Sequence, residues 1–514
     1  MQAYAPYDPP APRDLRELVK ARAAETPMAT AFFFTEDDGT VTSVSCAAFK
    51  EDVWSLGSAL YSKGFKDGAH VAIVGPNSYE WLNAFFSVTC GGNVAVPLDA
   101  RQPVENLISL MVRGDCSALV YSKEFEPAAK AVEGAVSKAL GKPFTCIPME
   151  GFETLKQEGR DDAAAAADFD AFEVDVNAMC VIVFTSGTTG EPKGVMLSQD
   201  NIVANMVQAS SNYVQEGTGM APLPMHHMFG LVVGYLMVYN YRYPAYIVRN
   251  MRRVLKDMQT AKPRTLFAVP IILETFLKQF GSMAKRMGGQ LTPEMVKQAT
   301  GGNLKYIICG GAALSVQVVR AFRAMGIEVL NGYGITECSP VLAVNRNEDR
   351  CDGSVGPVLF GCEVKIADDG EILARGRNIM LGYYKMPEET AEALEGGWYH
   401  TGDLGKIEDH YLFVTGRKKN LIITASGENV SPEEIEEKLL ADPAVEEAVV
   451  VERGGRLAAL VYPAKEAAVT EEYLEALKDK VNGDEPAYRR IQAIELREEP
   501  FPRNTTGKIV RGKI

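Results

Sequence analysis

Short apolar runs alternate with longer amphipathic segments through the first third of the chain. The runs 71–75 and 93–97 are almost wholly apolar, whereas the segments 48–63 and 80–90 are long enough to form helices. An uninterrupted apolar run is typical of a strand that is buried on both faces, and strands that alternate with helices indicate a largely parallel sheet. The pattern therefore predicts an α/β fold, an open sheet with helices on its faces.

The middle of the chain continues this pattern and then changes. A second alternating block runs from residue 179 to about 342, and residues 363–416 are richer in short β segments and turns. The apolar stretch 230–239 predicts a buried helix, because a membrane span needs about 20 residues. The acidic, alanine-rich segment 158–172 predicts a surface helix or a spacer.

The end of the chain carries the signals of a small, separate domain. Ser431 precedes a proline and two glutamates, which is typical of a helix that begins with a serine cap. Segments 445–452 and 457–462 predict a pair of strands. We place the domain boundary at 416–419, which gives an N-terminal domain of residues 1–416 and a C-terminal domain of residues 417–514.

Composition and charge exclude several classes of protein. Hydrophobic residues make up 46% and charged residues 23% of the 514 residues, which excludes a fibrous or largely disordered chain. Lys and Arg total 53 against 67 for Asp and Glu, so the net charge is −14. A protein that follows nucleic-acid phosphates usually has the opposite charge, so we expect no nucleic-acid partner. An anionic ligand must then be held by local groups.

Cysteine and histidine usage indicates a reduced, zinc-free protein. The nine cysteines are dispersed without a Cys-x-x-Cys pair, and no secretory signal peptide is evident. This pattern predicts free thiols and a cytoplasmic location. The only local histidine pair is His226-His227, and its spacing matches no zinc site.

The strongest chemical signal is a loop rich in glycine and hydroxyl groups. The apolar run 180–184 predicts a strand, and residues 185–194 then contain four hydroxyl side chains, three glycines and one lysine. Exposed backbone N–H groups, hydroxyl donors and a positive charge suit the phosphates of a nucleotide. No Gly-Lys-Ser/Thr sequence is present, so a Walker A loop is disfavoured, and a flexible turn is the alternative. The candidate phosphate-binding residues are Thr185, Ser186, Gly187, Thr188, Thr189 and Lys193.

Two later segments add groups that suit a nucleotide. Segment 331–337 predicts a tight turn in which Tyr333 offers an aromatic face to a base and Glu337 offers oxygens to a hard cation. Segment 399–405 places Asp403 in another turn, where its carboxylate could accept both ribose hydroxyls within reach of Arg417. Taken singly, each segment could equally be a surface turn whose acid is solvated or bonded to its own backbone.

These segments, in this order, resemble the signature motifs of the adenylate-forming superfamily. That superfamily contains acyl-CoA synthetases, carrier-protein-loading adenylation domains and firefly luciferase. The resemblance continues to the last residues and covers most of the chain. It implies an α/β fold with a large N-terminal domain of several subdomains, including a β-barrel-like part, and a small mobile α+β C-terminal lid.

The resemblance also implies roles for single residues in the nucleotide site. Tyr333 would lie against adenine, Thr336 would meet the α-phosphate, and Glu337 would bind Mg²⁺. Asp403 and Arg417 would bind the ribose. The remaining nucleotide-binding residues by this resemblance are Gly311, Ala312, Asn331 and Gly332.

Further motifs belong to the lid. By resemblance, Lys419 is the hinge about which the lid turns between two half-reactions, and the loop 426–429 enters the site for the second one. That loop, with Thr-Ala before it, is most like a bacterial fatty acyl-CoA ligase. Lys508, in the tail motif 502–509, would stabilise charge as it shifts to the bridging oxygen. The chain departs from many relatives at Gln199, where they have His, and at Asn420, where they have Asp or Glu.

The acyl pocket is the part that relatives share least. By resemblance, His227 flanks the channel for the carboxylate or thioester. Nothing charged appears near it, and no aspartate is available to pair an ammonium, so an apolar acid fits better than an amino acid. Glycines leave room for a chain longer than acetate, although most of these residues could simply be core. The candidate lining residues are His227, Phe229, Gly230, Val233, Gly234, Cys309 and Gly310.

The predicted reaction joins a medium- or long-chain fatty acid to the thiol of CoA, through an acyl-adenylate, with release of AMP and pyrophosphate. ATP, Mg²⁺ and CoA are the predicted cofactors. The candidate catalytic residues are Lys508, His227, Thr336 and Glu337. An acyl carrier protein is the alternative acceptor, because its phosphopantetheine presents the same thiol arm. A non-catalytic sensor, a luciferase-like oxygenase and peripheral contact with a membrane stay open.

Overall fold

The computed structural model describes residues 5–186, 191–424, 428–454, 456–465, 467, 469–483, 485–503 and 509–514. Its helices are α1 (Leu15–Glu25), α2 (Cys46–Ser62), α3 (Tyr79–Cys90), α4 (Val104–Arg113), α5 (Glu126–Leu140), α6 (Phe152–Asp161), α7 (Ala163–Ala171), α8 (Gln199–Asn212), α9 (Met237–Asn240), α10 (Val254–Ala261), α11 (Pro270–Arg286), α12 (Pro293–Ala299), α13 (Val316–Ala324), α14 (Pro387–Ala393), α15 (Pro432–Leu440) and α16 (Glu471–Asn482).

Its strands are β1 (Thr30–Thr35), β2 (Val41–Ser45), β3 (His70–Val74), β4 (Val94–Leu98), β5 (Ala118–Tyr121), β6 (Thr145–Pro148), β7 (Met179–Ser186), β8 (Pro192–Ser198), β9 (Gly219–Ala221), β10 (Ala245–Ile247), β11 (Thr265–Ala268), β12 (Tyr306–Cys309), β13 (Glu328–Gly334), β14 (Val341–Val344), β15 (Cys362–Ile366), β16 (Glu371–Gly376), β17 (Gly382–Tyr383), β18 (Tyr399–Glu408), β19 (Tyr411–Arg417), β20 (Ile422–Ile423), β21 (Asn429–Val430), β22 (Val445–Arg453), β23 (Arg456–Pro463) and β24 (Ile491–Leu496).

The first large sheet is buried on both faces. Its strand order is β17-β8-β7-β4-β3-β5-β6, and β4, β3, β5 and β6 run parallel. In β3, Val71 and Ile73 enter one hydrophobic core, and Ala72 and Val74 enter another. A strand covered on both sides needs apolar residues at successive positions, as the sequence pattern indicated. The predicted strands and helices of this region are confirmed as β3, β4, α2 and α3.

The second large sheet shares the larger core with the first. Its order is β14-β13-β12-β11-β9-β10-β1-β2, with β11, β12 and β13 parallel. Residues 363–416, predicted to be rich in β structure, contain the antiparallel sheet β15-β16-β18-β19. The mixed α/β fold, with a large N-terminal part and a small C-terminal domain, is thereby confirmed.

The C-terminal domain has a three-stranded sheet, β22-β23-β24. Its two predicted strands are confirmed as β22 and β23, and the helices α15 and α16 pack on one face. Ser431 precedes α15 as predicted, but its hydroxyl donates to the carbonyl oxygen of Thr415 at 2.8 Å and does not cap the helix. The side chain therefore joins α15 to β19. The boundary at 416–419 stays a prediction.

The acidic segment 158–172 forms the end of α6 and all of α7. Phe169 of α7 is fully buried and packs edge-to-face against Trp54 and Tyr61 of α2. The segment is therefore a packed helix and not a spacer, because a spacer has no reason to bury an aromatic ring.

The apolar stretch 230–239 lies in a buried π-helical segment, Phe229–Leu236, that continues into α9. The predicted buried helix is confirmed. Across the described residues, no helix combines the length and the apolar character that crossing a bilayer requires.

Gln199, one of the departures from relatives, has a structural role. Its side chain is 1% exposed at the start of α8. Its Oε1 accepts from the backbone N–H of Leu15 at 2.9 Å, and its Nε2 donates to the carbonyl oxygen of Thr89 at 2.8 Å. The amide thus joins α1, α3 and α8 by satisfying two buried backbone groups.

We expect Gln199→Leu, which keeps the size of the side chain, to lower the free energy of unfolding by about 2–4 kcal/mol, because two buried backbone groups lose their partners. Denaturant unfolding of the full chain measures this effect. Gln157→Leu is the control, since Gln157 is exposed and bonds only within α6. Equal stability of the two variants would contradict the role of Gln199.

Candidate active site

The described ends of the glycine- and hydroxyl-rich segment lie on two neighbouring strands. Strands β7 and β8 pair antiparallel, and Thr185 lies opposite Lys193. Ser186 is the last residue of β7, while Gly187, Thr188 and Thr189 lie outside the described residues, so the predicted phosphate contacts of the loop stay predictions. The hairpin holds both ends of the loop in register, which brings a hydroxyl and a lysine to the same point.

Tyr383 joins this hairpin to Glu337, and the sequence did not single it out. The Nζ of Lys193 lies 4.8 Å from the centre of the Tyr383 ring, and the Tyr383 hydroxyl donates to Oε1 of Glu337 at 3.1 Å. Strand β17 carries Tyr383 and pairs with β8. Sequence alone offers no signal that separates Tyr383 from its neighbour Tyr384, because β17 meets β8 only through the tertiary fold.

Segment 331–337 is not the tight turn that the sequence predicts. Strand β13 continues through Gly334, pairs with β14, and is followed by a short 3₁₀ turn that begins at Thr336. A Cβ at Gly334 would lie 1.8 Å from the carbonyl oxygen of Pro340. The glycine thus allows two backbones to approach closely within a strand, and a glycine-rich strand resembles a turn when only sequence is read.

Asp403 also lies in a strand and not in a turn. It occupies β18, which pairs with β16 on one side and β19 on the other, and Arg417 lies directly opposite. The Nε of Arg417 is 2.7 Å from Oδ1 of Asp403, and the Tyr333 hydroxyl donates to Oδ2 at 2.6 Å. Cross-strand pairing overrides the turn tendency of the segment. It also brings together the three residues predicted to bind adenine and ribose.

Two titratable groups of this cluster have shifted pKa values. Burial, and then the negative charge of Asp403, raise the pKa of Tyr333 well above its ordinary value, so Tyr333 stays a donor. Burial raises the pKa of Glu337, whereas the Tyr383 hydroxyl and the charge of Arg417 act in the opposite direction. Among the described residues, no three His, Cys, Asp or Glu side chains gather at one point, and the role of Glu337 as a Mg²⁺ ligand stays a prediction.

The remaining nucleotide candidates line the same cleft. Gly311 and Ala312 follow β12, and Asn331 and Gly332 lie in β13. The Nδ2 of Asn331 donates to the carbonyl oxygen of Ser354 at 3.1 Å, but its buried Oδ1 has no hydrogen-bond partner among the described residues. A buried acceptor without a partner is rare and suits a ligand N–H group such as an exocyclic amine.

An apolar cavity of about 60 Å³ adjoins this cleft. It lies between α8, the π-helical segment and strands β12, β13 and β14, and it contains no charged side chain. Phe229, Gly311 and Tyr333 line both the cavity and the cleft, so the two spaces share a wall. The residues that line the cavity are Ala209, Tyr213, Phe229, Val233, Met237, Ile308, Cys309, Gly310, Gly311, Gly332, Tyr333, Gly334, Pro340, Val341 and Val344.

The predicted pocket residues fall into three groups. Phe229, Val233, Cys309 and Gly310 line the cavity, while His227 and Gly230 line the cleft. Gly234 lines neither space, and its place in an acyl tunnel stays a prediction. A Cβ at this position would lie 2.5 Å from Cβ of Ala221, so Gly234 allows the π-helical segment to pack tightly on β9.

His226, which was not predicted to act, lies beside His227 with ring centres 4.3 Å apart. Its Nε2 is 3.8 Å from Oδ2 of Asp99, which Arg101 holds through two contacts of 2.9 Å. Burial, followed by the neighbouring histidine, lowers the pKa of His226 to about 3. The His226 ring is therefore neutral at pH 7.

The hinge region follows β19 directly. Lys419 is exposed in a short turn, while Lys418 pairs with Asp369 and Glu371 at 2.7 and 2.8 Å. Asn420 donates to Oε1 of Glu433 at 2.7 Å. Lys508 and residues 426 and 427 of the loop 426–429 lie outside the described residues, and the roles of Lys508 and of this loop stay predictions.

Comparison with known proteins identifies the family of this chain. A model of the AMP-binding enzyme family matches residues 19–384, and a model of the AMP-binding enzyme C-terminal domain matches residues 419–514. The chain is 28% identical over 459 residues to the long-chain-fatty-acid–CoA ligase FadD15 of Mycobacterium bovis, which covers 80% of this chain and 76% of that protein. It is 29% identical over 519 residues to the 2-succinylbenzoate–CoA ligase of Bacillus cereus, with 96% of each covered.

A solved structure shares the fold over almost the whole chain. ATP-bound MatB from Rhodopseudomonas palustris matches with a TM-score of 0.81 at 24% identity, covering 97% of each chain. Because the family model spans residues 19–384, well over half of the chain, this protein belongs to the AMP-binding enzyme family, within the adenylate-forming superfamily.

Proposed function

We propose that the protein is an AMP-forming acyl-CoA ligase for carboxylic acids with a medium or long apolar chain. In the first step, a carboxylate oxygen of the acid attacks the α-phosphorus of ATP, and pyrophosphate leaves. In the second, the CoA sulfur attacks the acyl carbon, the bond to AMP breaks, and the thiol proton is lost. The named relatives are CoA ligases for very different acids, so the acid must be inferred from the pocket.

The observation that carries this proposal is the shared wall between an apolar cavity and a polar cleft. An acyl chain in the cavity would leave its carboxylate beside Gly311 and Tyr333, where the nucleotide residues converge. No charged side chain lines the cavity. Burying an ammonium or a second carboxylate there without a partner would be costly, which favours an acid that is apolar beyond its carboxyl group.

The cleft residues supply binding and orientation. Asp403 would accept the ribose hydroxyls, Tyr333 would lie against the base, and Lys193 would meet the phosphates beside the hairpin loop. Glu337 is the proposed Mg²⁺ ligand, and the ion would neutralise charge on the phosphates. Lys508 would stabilise the developing charge during adenylation. Fixed positioning and charge stabilisation of this kind need no covalent protein nucleophile.

The proposal is tested by ATP–pyrophosphate exchange across a panel of acids. We expect exchange with saturated acids of about C8–C16, and the cavity of about 60 Å³ must open further to admit them. Acetate, 2-succinylbenzoate and amino acids should give little exchange. Supplying either CoA or a holo carrier protein then identifies the acceptor by the thioester formed. Absence of exchange with every acid would refute the proposal.

We expect Ala209→Leu to shift acid preference toward shorter chains, because three added carbon atoms project into the cavity from α8. The readout is kcat/KM for each acid of the panel. Ala204→Leu is the matched control, since Ala204 is buried in the same helix but does not line the cavity. Parallel losses across all chain lengths would argue against the cavity as the acyl site.

We expect Tyr383→Phe to move the acidic limb of the exchange-rate profile to higher pH by up to about one unit. The reason is that the ionised form of Glu337 is the proposed Mg²⁺ ligand. Activity is therefore lost as the pH falls through the pKa of Glu337, which burial raises. Removing the hydroxyl that favours ionisation raises this pKa further. Tyr384→Phe is the control, because the Tyr384 hydroxyl donates to Asp115. An unmoved limb in Tyr383→Phe would contradict the coupling.

A further inference from the structure

The C-terminal tail returns across the face of the lid sheet that the helices leave uncovered. Phe501 and Ile509 pack there against Val449 and Leu460. Arg503 and Ile509 form an antiparallel bridge, and the backbone N–H of Val510 donates to the carbonyl oxygen of Pro502 at 2.8 Å. The described residues on the two sides of segment 504–508 are therefore held next to each other. Lys508 immediately precedes Ile509 in the chain.

Glu447 binds the tail residues that precede segment 504–508. Its Oε2 accepts from the backbone N–H of Phe501 at 2.7 Å, and its Oε1 lies 2.5 Å from Nη2 and 3.2 Å from Nε of Arg503. The residue is only 8% exposed. One carboxylate of β22 thus fixes both the backbone and the guanidinium of the tail.

Glu436 of α15 binds the tail residues that follow segment 504–508. Its Oε1 is 2.6 Å from Nη2 of Arg511 and also accepts from the backbone N–H of Val450 at 2.6 Å. The Nη1 of Arg511 donates to the carbonyl oxygen of Val450 at 3.2 Å. Glu436 is likewise 8% exposed. The tail beyond Ile509 is therefore tied to α15 and β22 together.

We propose that Glu447 and Glu436 are positioning residues for Lys508 in the adenylation half-reaction. This inference rests on the proposed function, in which Lys508 acts on the departing charge. A buried ion pair adds little net stability compared with apolar packing, but a guanidinium held by several bonds has a fixed orientation. The two pairs fix the described chain on both sides of segment 504–508, and that restraint is the basis of the proposed positioning role. Displacement of a catalytic group by 1 Å costs as much as about a hundredfold in rate.

A purely structural role for Glu447 and Glu436 predicts a different result. If the pairs only stabilised the lid, their loss would weaken both half-reactions alike, because the lid takes part in both. If they position Lys508, adenylation falls while transfer from a ready-made adenylate is spared. The two half-reactions therefore separate positioning from stability.

The test uses the full-length chain and four substitutions: Glu447→Gln, Glu436→Gln, Arg511→Lys and Glu485→Gln. Arg511→Lys keeps the charge but loses the forked contact, so it is the mild variant should a carboxylate variant fail to fold. Glu485→Gln is the matched control. Glu485 is 5% exposed in the same domain and pairs with Lys438 and Arg489.

Two rates are measured for each variant: ATP–pyrophosphate exchange with dodecanoate, and dodecanoyl-CoA formation from synthetic dodecanoyl-AMP and CoA. We expect Glu447→Gln and Glu436→Gln to lose at least about tenfold in exchange with thioester formation near the wild-type rate, and Arg511→Lys to lose less. The control should change both rates by the same factor. Thermal unfolding records the stability of each variant.

Equal loss of both rates in Glu447→Gln and Glu436→Gln, or no loss of either rate in these two variants, would overturn the inference. The wild-type protein separates this failure from failure of the proposed function. If the wild type exchanges pyrophosphate but Glu447→Gln and Glu436→Gln do not lose exchange more than thioester formation, only the positioning role is refuted. If wild type exchanges with no acid of the panel, the proposed function itself falls.

Discussion

The nucleotide side of the protein depends on the carboxylate of Asp403. This nearly buried group receives the Tyr333 hydroxyl from the second large sheet and the guanidinium of Arg417 from the neighbouring strand of the third sheet. A buried carboxylate must be paired, and here its partners come from two different sheets. The pairing therefore joins the second large sheet to the third sheet through one carboxylate.

Close backbone approach is a second constraint on the site. Gly334 brings β13 against Pro340, and Gly234 brings the π-helical segment against β9. A side chain at either position would push apart elements that form the walls of the cavity. Such glycines act through packing, and Gly334 itself lines both the nucleotide cleft and the apolar cavity. A π-helical segment at this wall fits the frequent use of that geometry at functional sites.

The C-terminal domain has a packed hydrophobic core and a tail that two ion pairs hold in place. Its helices bury one face of the small sheet, and Phe501 and Ile509 cover the other. Glu447 and Glu436 then bind the tail through arginines on both sides of the lysine motif. In the proposed function, a lysine that acts in only one half-reaction must travel with the lid and still arrive accurately. Apolar packing alone is non-directional and would not set that orientation.

The sequence by itself determined the buried strands and helices of the first large sheet, the small α+β domain and the motifs of the adenylate-forming superfamily. Those features depend on local periodicity and on residue types that adjoin each other in the chain. It predicted turns at 331–337 and at Asp403, because glycine and aspartate favour turns locally, whereas pairing with the next strands along the chain, β14 and β19, makes both segments β structure. Only the tertiary structure shows the contacts of Tyr383, the packing role of Gly234, and the two ion pairs that hold the tail, Glu447–Arg503 and Glu436–Arg511. Each arises from a contact between segments far apart in the chain, and no local pattern encodes such a contact.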